Sequence, residues 1–291
     1  MSAAMARARD YYELCKPRII VLLLVTTAAA MFMAARGVPP LGLLFWTLLG
    51  GALAAGSAGA FNCAWDADID RVMARTAARP IPQGRISRRA AVVFATAIGI
   101  AAFAIMYCLV NPLAAWLSLA GNVYYVVIYT IWLKRVTPLN IVIGGAAGSV
   151  PPLVGWAAVT HAIGGPALGL FAVIFLWTPP HFWSLSLWTE LDYAKAKIPM
   201  FPNVYGDERT KREIFYYSAI LVIASLLLYP LHVMGALYLA AAAVLGGIFL
   251  MEAFRTWRDR DPRRPRQLFR YSLVYLALMC AVMVIDRIFL V

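Results

Sequence analysis

The chain has 291 residues, of which 63% are hydrophobic and only 14% are charged, with a net charge of +12. A soluble domain of this length needs more polar residues to cover its surface, so the composition excludes an ordinary soluble protein. The basic residues form short clusters between long apolar runs, which indicates membrane lipids rather than nucleic acid as their partner.

Nine apolar segments are long enough to cross a bilayer, which takes roughly 20 residues in a helix. Each is predicted to be helical, because backbone polar groups in hydrocarbon must be satisfied within the segment. The sequence therefore predicts an all-α polytopic membrane protein that forms a single domain over residues 1–291. The predicted spans are 18–36, 41–64, 90–110, 113–133, 139–160, 167–189, 214–233, 234–254 and 270–290.

The distribution of Lys and Arg predicts the orientation of these spans. With the amino terminus in the cytosol, Arg36 and Arg287 alone among the basic residues lie outside. The long inner loops are then about 65–89, 190–213 and 255–269. The third loop is mainly basic, and we expect it to fix the topology and contact lipid headgroups. An odd number of spans places the carboxyl terminus outside.

The inner end of the second predicted span carries Asn62, Asp66 and Asp70, which recur every four residues and therefore share one helix face. Oxygen ligands on one face suit a hard cation, and Mg²⁺ typically takes one or two carboxylates together with substrate phosphates. Arg75 and Arg79 follow, and their guanidinium groups suit phosphate oxygens. The pattern predicts a catalytic metal and diphosphate site. The alternative is a solvated loop with incidental salt bridges.

Two further regions contain candidate site residues. Lys134 and Arg135, at the inner end of the fourth span, would add positive charge beside a diphosphate, although positive-inside anchoring explains them equally well. His181 lies within the sixth span near Trp177, and an ionisable group inside a span is a site hypothesis by default. The alternative for His181 is a neutral side chain hydrogen-bonded across helices.

Several strings, spread over nearly the whole chain, resemble the UbiA-type intramembrane prenyltransferases. They are Lys16-Pro17-Arg18-Ile19, Asn62-x3-Asp66-x3-Asp70, Met73-x-Arg75-Thr76-x2-Arg79-Pro80, Tyr129-Thr130-x2-Leu133-Lys134-Arg135-x-Thr137-x2-Asn140, Gly144-Gly145-x2-Gly148, Pro151-Pro152, Trp177-Thr178-Pro179-Pro180-His181-Phe182-Trp183, and Asp192-Tyr193 followed by Ile198-Pro199-Met200. The last two strings resemble the branch of that family that acts on haem.

The resemblance implies nine helices around a central lipid-accessible cavity, capped by charged inner loops, in a bacterial inner membrane. It implies transfer of a farnesyl group from farnesyl diphosphate to a vinyl group of haem b, with addition of water and release of diphosphate. Mg²⁺ would be the cofactor and haem b a substrate. Haem A synthase or terminal-oxidase assembly factors would be partners. The residues implied for haem binding are His181, Trp177, Asp192 and Tyr193.

One feature departs from the wider family. Relatives often carry a second Asp-x3-Asp in the later inner loop, whereas this chain has Glu190 and Asp192 followed by Lys195 and Lys197. We therefore expect one metal ion rather than two, or a lysine whose positive charge replaces part of the charge of the second metal ion.

The sequence leaves two other functions open. The first is prenylation of an aromatic acid or a quinone precursor, which the haem-branch strings disfavour. The second is a non-enzymatic transporter. Transporters usually bind substrate near mid-membrane, whereas the charges here gather at one face, which argues against transport.

Overall fold

This computed structural model describes residues 3–289, which are almost entirely helical and contain no strand. The prediction of an all-α fold is confirmed. The helices in chain order are α1 (Ala3–Leu14), α2 (Pro17–Ala35), α3 (Leu41–Trp65), α4 (Ala67–Val72), α5 (Arg88–Leu109), α6 (Pro112–Val123), α7 (Lys134–Val136), α8 (Asn140–Ser149), α9 (Pro151–Thr160), α10 (Gly165–Trp188), α11 (Glu190–Lys195), α12 (Phe201–Tyr205), α13 (Asp207–Leu227), α14 (Ala236–Arg258) and α15 (Arg264–Phe289). A π-helical segment, Tyr124–Leu133, joins α6 to α7.

Eight segments are long and apolar enough to cross a membrane, which makes this a multi-pass membrane protein. Six of them are the single helices α2, α3, α5, α10, α14 and α15. The other two are Pro112–Val136, which includes the π-helical segment, and Asn140–Thr160, which combines α8 and α9. All eight correspond to predicted spans, and the largest difference is that α15 begins at Arg264 instead of residue 270.

The predicted span 214–233 has the wrong bounds. The helix in this region, α13, begins at Asp207 and ends at Leu227. Every stretch of 18 residues within α13 contains at least three charged residues, because Lys211, Arg212 and Glu213 fall inside all of them. For this reason α13 is not among the eight apolar segments. The helix begins early because charged residues that were assigned to the preceding loop continue it toward the aqueous side.

α13 nevertheless runs the length of the bundle. In its first half, Phe215 contacts Trp257 in the last turn of α14, with ring centroids 5.5 Å apart. Just beyond its end, Leu228 packs against Gly169 near the start of α10. A helix of 21 residues is about 31 Å long, close to the thickness of the hydrocarbon core. Within residues 3–289, nine helical segments therefore pass from one end of the bundle to the other.

The first and last long helices are neighbours, because α2 packs against α3, α9 and α15. Small residues allow the close approaches, as at Gly155 on α9, where an added Cβ would clash with the backbone carbonyl of Thr27 on α2. The largest buried apolar cluster lies among α2, α10, α13, α14 and α15. Elsewhere in the bundle, α3 contacts the π-helical segment, and α8 contacts both that segment and α10.

Candidate active site

Asn62, Asp66 and Asp70 lie where α3 passes into α4. The backbone N–H of Asp66 donates to the carbonyl of Asn62 (2.9 Å), and that of Asp70 donates to the carbonyl of Asp66 (2.8 Å). Helical spacing therefore continues through the junction and keeps the three side chains on one face. Asn62 and Asp70 are each 3% exposed and Asp66 is 1% exposed. These groups face the protein interior rather than open solvent.

The two oxygens of Asp66 have different surroundings. Its Oδ2 accepts hydrogen bonds from Nδ2 of Asn62 (2.9 Å) and from the ammonium group of Lys134. Its Oδ1 is buried and accepts no hydrogen bond, and a guanidinium nitrogen of Arg135 lies 3.7 Å away. Leaving a buried carboxylate oxygen without a donor costs free energy, so this atom is the natural contact point for a cationic ligand.

The other two carboxylates in this stretch are paired with arginines. Oδ2 of Asp70 accepts a hydrogen bond from Arg79 (2.7 Å). Asp68 lies on another face of α4, where its side chain is 55% exposed and accepts two hydrogen bonds of 2.9 Å from Arg135. These bonds lower the pKa of Asp68 to about 2. Asp68 was not predicted to be a site residue.

The buried carboxylate oxygens suit part of the coordination shell of one hard cation. Among the residues that the structure describes, no three His, Cys, Asp or Glu side chains come together, so protein groups alone do not form a closed metal site. Asp66 and Asp70 can supply the one or two carboxylates that Mg²⁺ requires. Asn62 is less suited as a ligand in this arrangement, because its Oδ1 accepts a hydrogen bond from Lys16.

The second inner loop lies against the first. The carboxylate of Asp192 accepts hydrogen bonds from the backbone N–H groups of Ala74 (3.3 Å) and Arg75 (3.4 Å). Burial raises the pKa of Tyr193, and the positive charge of the nearby Arg75 side chain opposes that shift. The ring of Tyr193 packs in an apolar cluster with Ile69, which lies between the metal-site carboxylates in sequence. The structure thus places Asp192 and Tyr193 beside a predicted diphosphate residue.

His181 and Trp177 form a separate group inside α10. The His181 ring stacks between Trp177 (centroids 4.1 Å apart) and Phe269 of α15 (4.6 Å). Its Nδ1 hydrogen-bonds to the hydroxyl group of Ser272 (2.7 Å), and Trp177 donates to the carbonyl of Ser272 (2.8 Å). These contacts account for one ring nitrogen of His181 and leave Nε2 as the nitrogen for any substrate. The four predicted haem residues therefore fall into two groups.

The similarity to known proteins agrees with this geometry. A family model described as the UbiA prenyltransferase family matches residues 23–279. The chain belongs to the UbiA prenyltransferase family. A protein named protoheme IX farnesyltransferase from Gloeobacter violaceus is 55% identical to it over 287 residues, covering 98% of this chain and 94% of that protein. A protein of the same name from Synechocystis is 54% identical over 285 residues, covering 97% and 90%.

Solved structures of other UbiA proteins share the fold. One, described as a UbiA homolog from Archaeoglobus fulgidus bound to DMAPP and Mg²⁺, superposes with a TM-score of 0.67 at 18% identity, covering 97% of this chain and all of that one (100%). A structure of digeranylgeranylglyceryl phosphate synthase has a TM-score of 0.80 at 16% identity, covering 97% and 99%. The predicted family and its all-helical membrane fold are confirmed.

Two residues of this candidate site were not predicted to take part in it. Thr130 accepts a hydrogen bond from Nδ2 of Asn62 (3.0 Å), and Lys16 donates to Oδ1 of the same amide. Both residues stand in strings that resemble the UbiA-type proteins. No pattern in the sequence indicates their contacts with Asn62, which join residues 68 and 46 positions apart.

Proposed function

We propose that this chain transfers a farnesyl group from farnesyl diphosphate to a vinyl group of haem b, with addition of water, giving haem O and diphosphate. Support for these substrates comes from two relatives named protoheme IX farnesyltransferase, which are more than half identical over nearly the whole chain. The structural observation that carries the proposal is the buried carboxylate of Asp66, which has one oxygen without a donor among several cations.

Asp66 and Asp70 would hold the metal during ionisation of the prenyl donor. Breaking the allylic carbon–oxygen bond leaves positive charge on the farnesyl chain and negative charge on diphosphate. Bound Mg²⁺ supplies Lewis-acid stabilisation of that leaving group. Asn62 holds Oδ2 of Asp66 through a 2.9 Å hydrogen bond, so the other carboxylate oxygen would be available to hold the metal. This ionisation is the step that the charged cluster is suited to promote.

Four cations would stabilise the departing diphosphate. Lys134 and Arg135 approach Asp66 from α7, and Arg79 approaches Asp70 from the first inner loop. Arg75 lies where the two inner loops touch. Fixed positive charges that surround a developing anion in a poorly hydrated site are often the largest catalytic contribution. Anchoring at the membrane surface does not require the inward contacts that Lys134 and Arg135 make.

The haem acceptor would lie on the membrane side of this cluster. We assign haem binding to His181, through Nε2, and to the neighbouring face of Trp177. Asp192 and Tyr193 would border the haem while they hold the first inner loop closed, since both contact that loop at Arg75. Closure of the loop would also exclude water, which would otherwise quench the allylic cation before the vinyl group attacks it.

We also propose a bacterial inner-membrane location, with the amino terminus in the cytosol and the carboxyl terminus outside. The distribution of Lys and Arg supports this orientation. Haem A synthase or terminal-oxidase assembly factors are the partners that would receive the product.

The decisive experiment uses the purified protein in lipid nanodiscs with Mg²⁺, farnesyl diphosphate and haem b. The expected products are diphosphate and a haem heavier by one farnesyl group and one hydroxyl group, identified by mass spectrometry. An aromatic acid or a quinone precursor in place of haem tests the alternative acceptors. Diphosphate release with one of those acceptors but not with haem would overturn the proposal. Absence of diphosphate release with every acceptor would overturn prenyl transfer itself.

A further inference from the structure

The turn between α1 and α2 holds Lys16 in an unusual backbone conformation. Its φ of 56° and ψ of 55° lie in the left-handed region, which costs a non-glycine residue free energy. Pro17 follows at the first position of α2, where its fixed φ suits a helix start. These two residues restrict the backbone of the turn, and the Lys16 side chain extends toward Asn62 on α3.

A glycine on α3 lets this turn approach the metal site. A Cβ added at Gly59 would lie 3.0 Å from the carbonyl oxygen of Cys15 and 3.2 Å from that of Leu14, which is closer than ordinary packing allows. The backbone before Lys16 thus rests directly on α3. Gly59 precedes Asn62 by three residues, so the turn is placed next to the helix face that carries Asn62.

The contact between Lys16 and Asn62 fixes the orientation of the Asn62 amide. The ammonium group of Lys16 can only donate hydrogen bonds, and the carboxylate of Asp66 can only accept them. The Asn62 amide must therefore turn its oxygen to Lys16 and its NH₂ group to Asp66, with a further hydrogen bond from that NH₂ group to Thr130. Without Lys16, the amide could adopt the reverse orientation more easily. In that orientation, the oxygen of Asn62 would face the carboxylate oxygen of Asp66.

Anchoring at the membrane surface does not explain this arrangement. A lysine that contacts lipid headgroups extends outward, as the exposed Arg18 two residues later can do. Lys16 instead contacts an amide that is 3% exposed. The segment that carries it also lies outside the region matched by the family model, which begins at residue 23.

We propose that Lys16 is a positioning residue of the diphosphate site: through Asn62 it orients the metal-binding carboxylate of Asp66. The amino-terminal segment is then part of the active site. This inference rests on the proposed prenyl transfer. It makes Asn62 a link between Lys16 and Asp66, and it assigns the turn before α2 to catalysis as well as to packing.

The test compares Lys16→Met and Lys16→Arg with the neighbouring control Arg18→Met, each in nanodiscs. Two quantities are measured: turnover with farnesyl diphosphate and haem b, and the affinity for magnesium pyrophosphate by titration calorimetry. Loss of a hydrogen bond from a charged donor predicts that Lys16→Met weakens pyrophosphate binding by roughly tenfold or more and lowers kcat by at least as much. Lys16→Arg should recover part of both losses, and Arg18→Met should match the wild type.

A thermal unfolding curve for each variant separates positioning from folding. Wild-type values of kcat and pyrophosphate affinity in Lys16→Met would overturn the inference, as would equal losses in Lys16→Met and Arg18→Met. If Lys16→Met does not fold, Lys16→Gln replaces it, because a glutamine amide can accept as well as donate and therefore no longer fixes the orientation of the Asn62 amide. If Lys16→Gln lowers kcat and pyrophosphate affinity as much as Asn62→Ala does, the inference is supported. If both quantities in Lys16→Gln equal those of the wild type, the inference is overturned. A wild-type protein that neither binds magnesium pyrophosphate nor turns over would instead refute the proposed function.

Discussion

The carboxylate of Asp192 accepts a hydrogen bond from the backbone N–H of Arg75, 3.4 Å away and 117 residues earlier in the chain. A second bond, from Ala74 at 3.3 Å, makes the same carboxylate a connection between the two charged inner loops. Asp192 thus holds the backbone of Arg75, one of the residues proposed to bind diphosphate.

Removing this connection should loosen the first inner loop. In Asp192→Ala we expect faster hydrogen exchange at the backbone amides of Ala74 and Arg75, because both lose their acceptor. The KM for farnesyl diphosphate should rise several-fold, since a net contribution of about 1 kcal/mol per hydrogen bond is a factor of about five. The control is Glu208→Ala, which removes an exposed carboxylate from the first turn of α13. Unchanged exchange in Asp192→Ala would contradict the connection.

Asp66 and Asp68 are two residues apart but should respond very differently to loss of charge. Asp66→Asn replaces a buried oxygen that has no donor, and we expect diphosphate release to fall by about 100-fold or more. Asp68→Asn changes an exposed side chain and should stay within a few-fold of the wild type. A pyrophosphate release assay measures both. Equal effects in the two variants would contradict the assignment of Asp66 as the metal ligand.

Asp68 should instead affect acid stability. The pKa of Asp68 is about 2 in the folded protein because Arg135 donates two hydrogen bonds to it, whereas an unfolded aspartate has a pKa of about 3.9. The pair therefore stabilises the fold above about pH 4, and this contribution is lost as the pH falls toward 2. Because Asp68 is exposed, the effect should be below about 1 kcal/mol.

Thermal unfolding at several pH values measures this contribution. Wild type and Asp68→Asn should differ slightly above pH 4 and converge toward pH 2. Arg135→Gln removes the same hydrogen bonds from the other partner and should show the same convergence. A difference between wild type and Asp68→Asn that grows as the pH falls would contradict the assignment.

The sequence predicted most of the membrane architecture because the bilayer imposes strong limits on it. A run of about 20 apolar residues has few alternatives to a helix, so the bounds of α3 were predicted to within one residue. The local geometry of Asn62, Asp66 and Asp70 was equally accessible, since it depends only on helical period. Prediction failed for α13, where hydropathy could not show that Asp207 and the charged residues after it continue a helix.

Contacts between distant elements were not predictable in this way. The hydrogen bonds of Asn62 with Lys16 and Thr130 depend on how α3 packs against the first turn and the π-helical segment, and no local pattern specifies that packing. The same is true of Asp286 on α15. It lies at the end of the bundle away from the charged loops, and its carboxylate caps α14 by accepting hydrogen bonds from the N–H groups of Gly235 (2.5 Å) and Tyr238 (3.0 Å).

Asp286 should therefore contribute to stability but not to catalysis. It is fully buried, so Asp286→Ala leaves two N–H groups of α14 without an acceptor. We expect the free energy of unfolding to fall by about 2 kcal/mol, with kcat per folded molecule unchanged because the site lies at the other end. Reversible unfolding in mixed micelles measures the loss, and the exposed Asp261→Ala is the control. A selective loss of kcat would contradict this separation.

His181→Phe separates haem binding from packing. A phenyl ring can keep the stack between Trp177 and Phe269 but has no nitrogen for a substrate. If Nε2 contacts haem, haem farnesylation should fall roughly tenfold or more while the affinity for magnesium pyrophosphate and the thermal midpoint stay near wild type. The control Ser272→Ala removes the partner of Nδ1 but keeps Nε2, so its effect should be several-fold smaller.

Haem titration by visible absorption should show weaker binding in His181→Phe alone. Wild-type farnesylation in that variant would leave His181 with a packing role and move the haem contact to another residue.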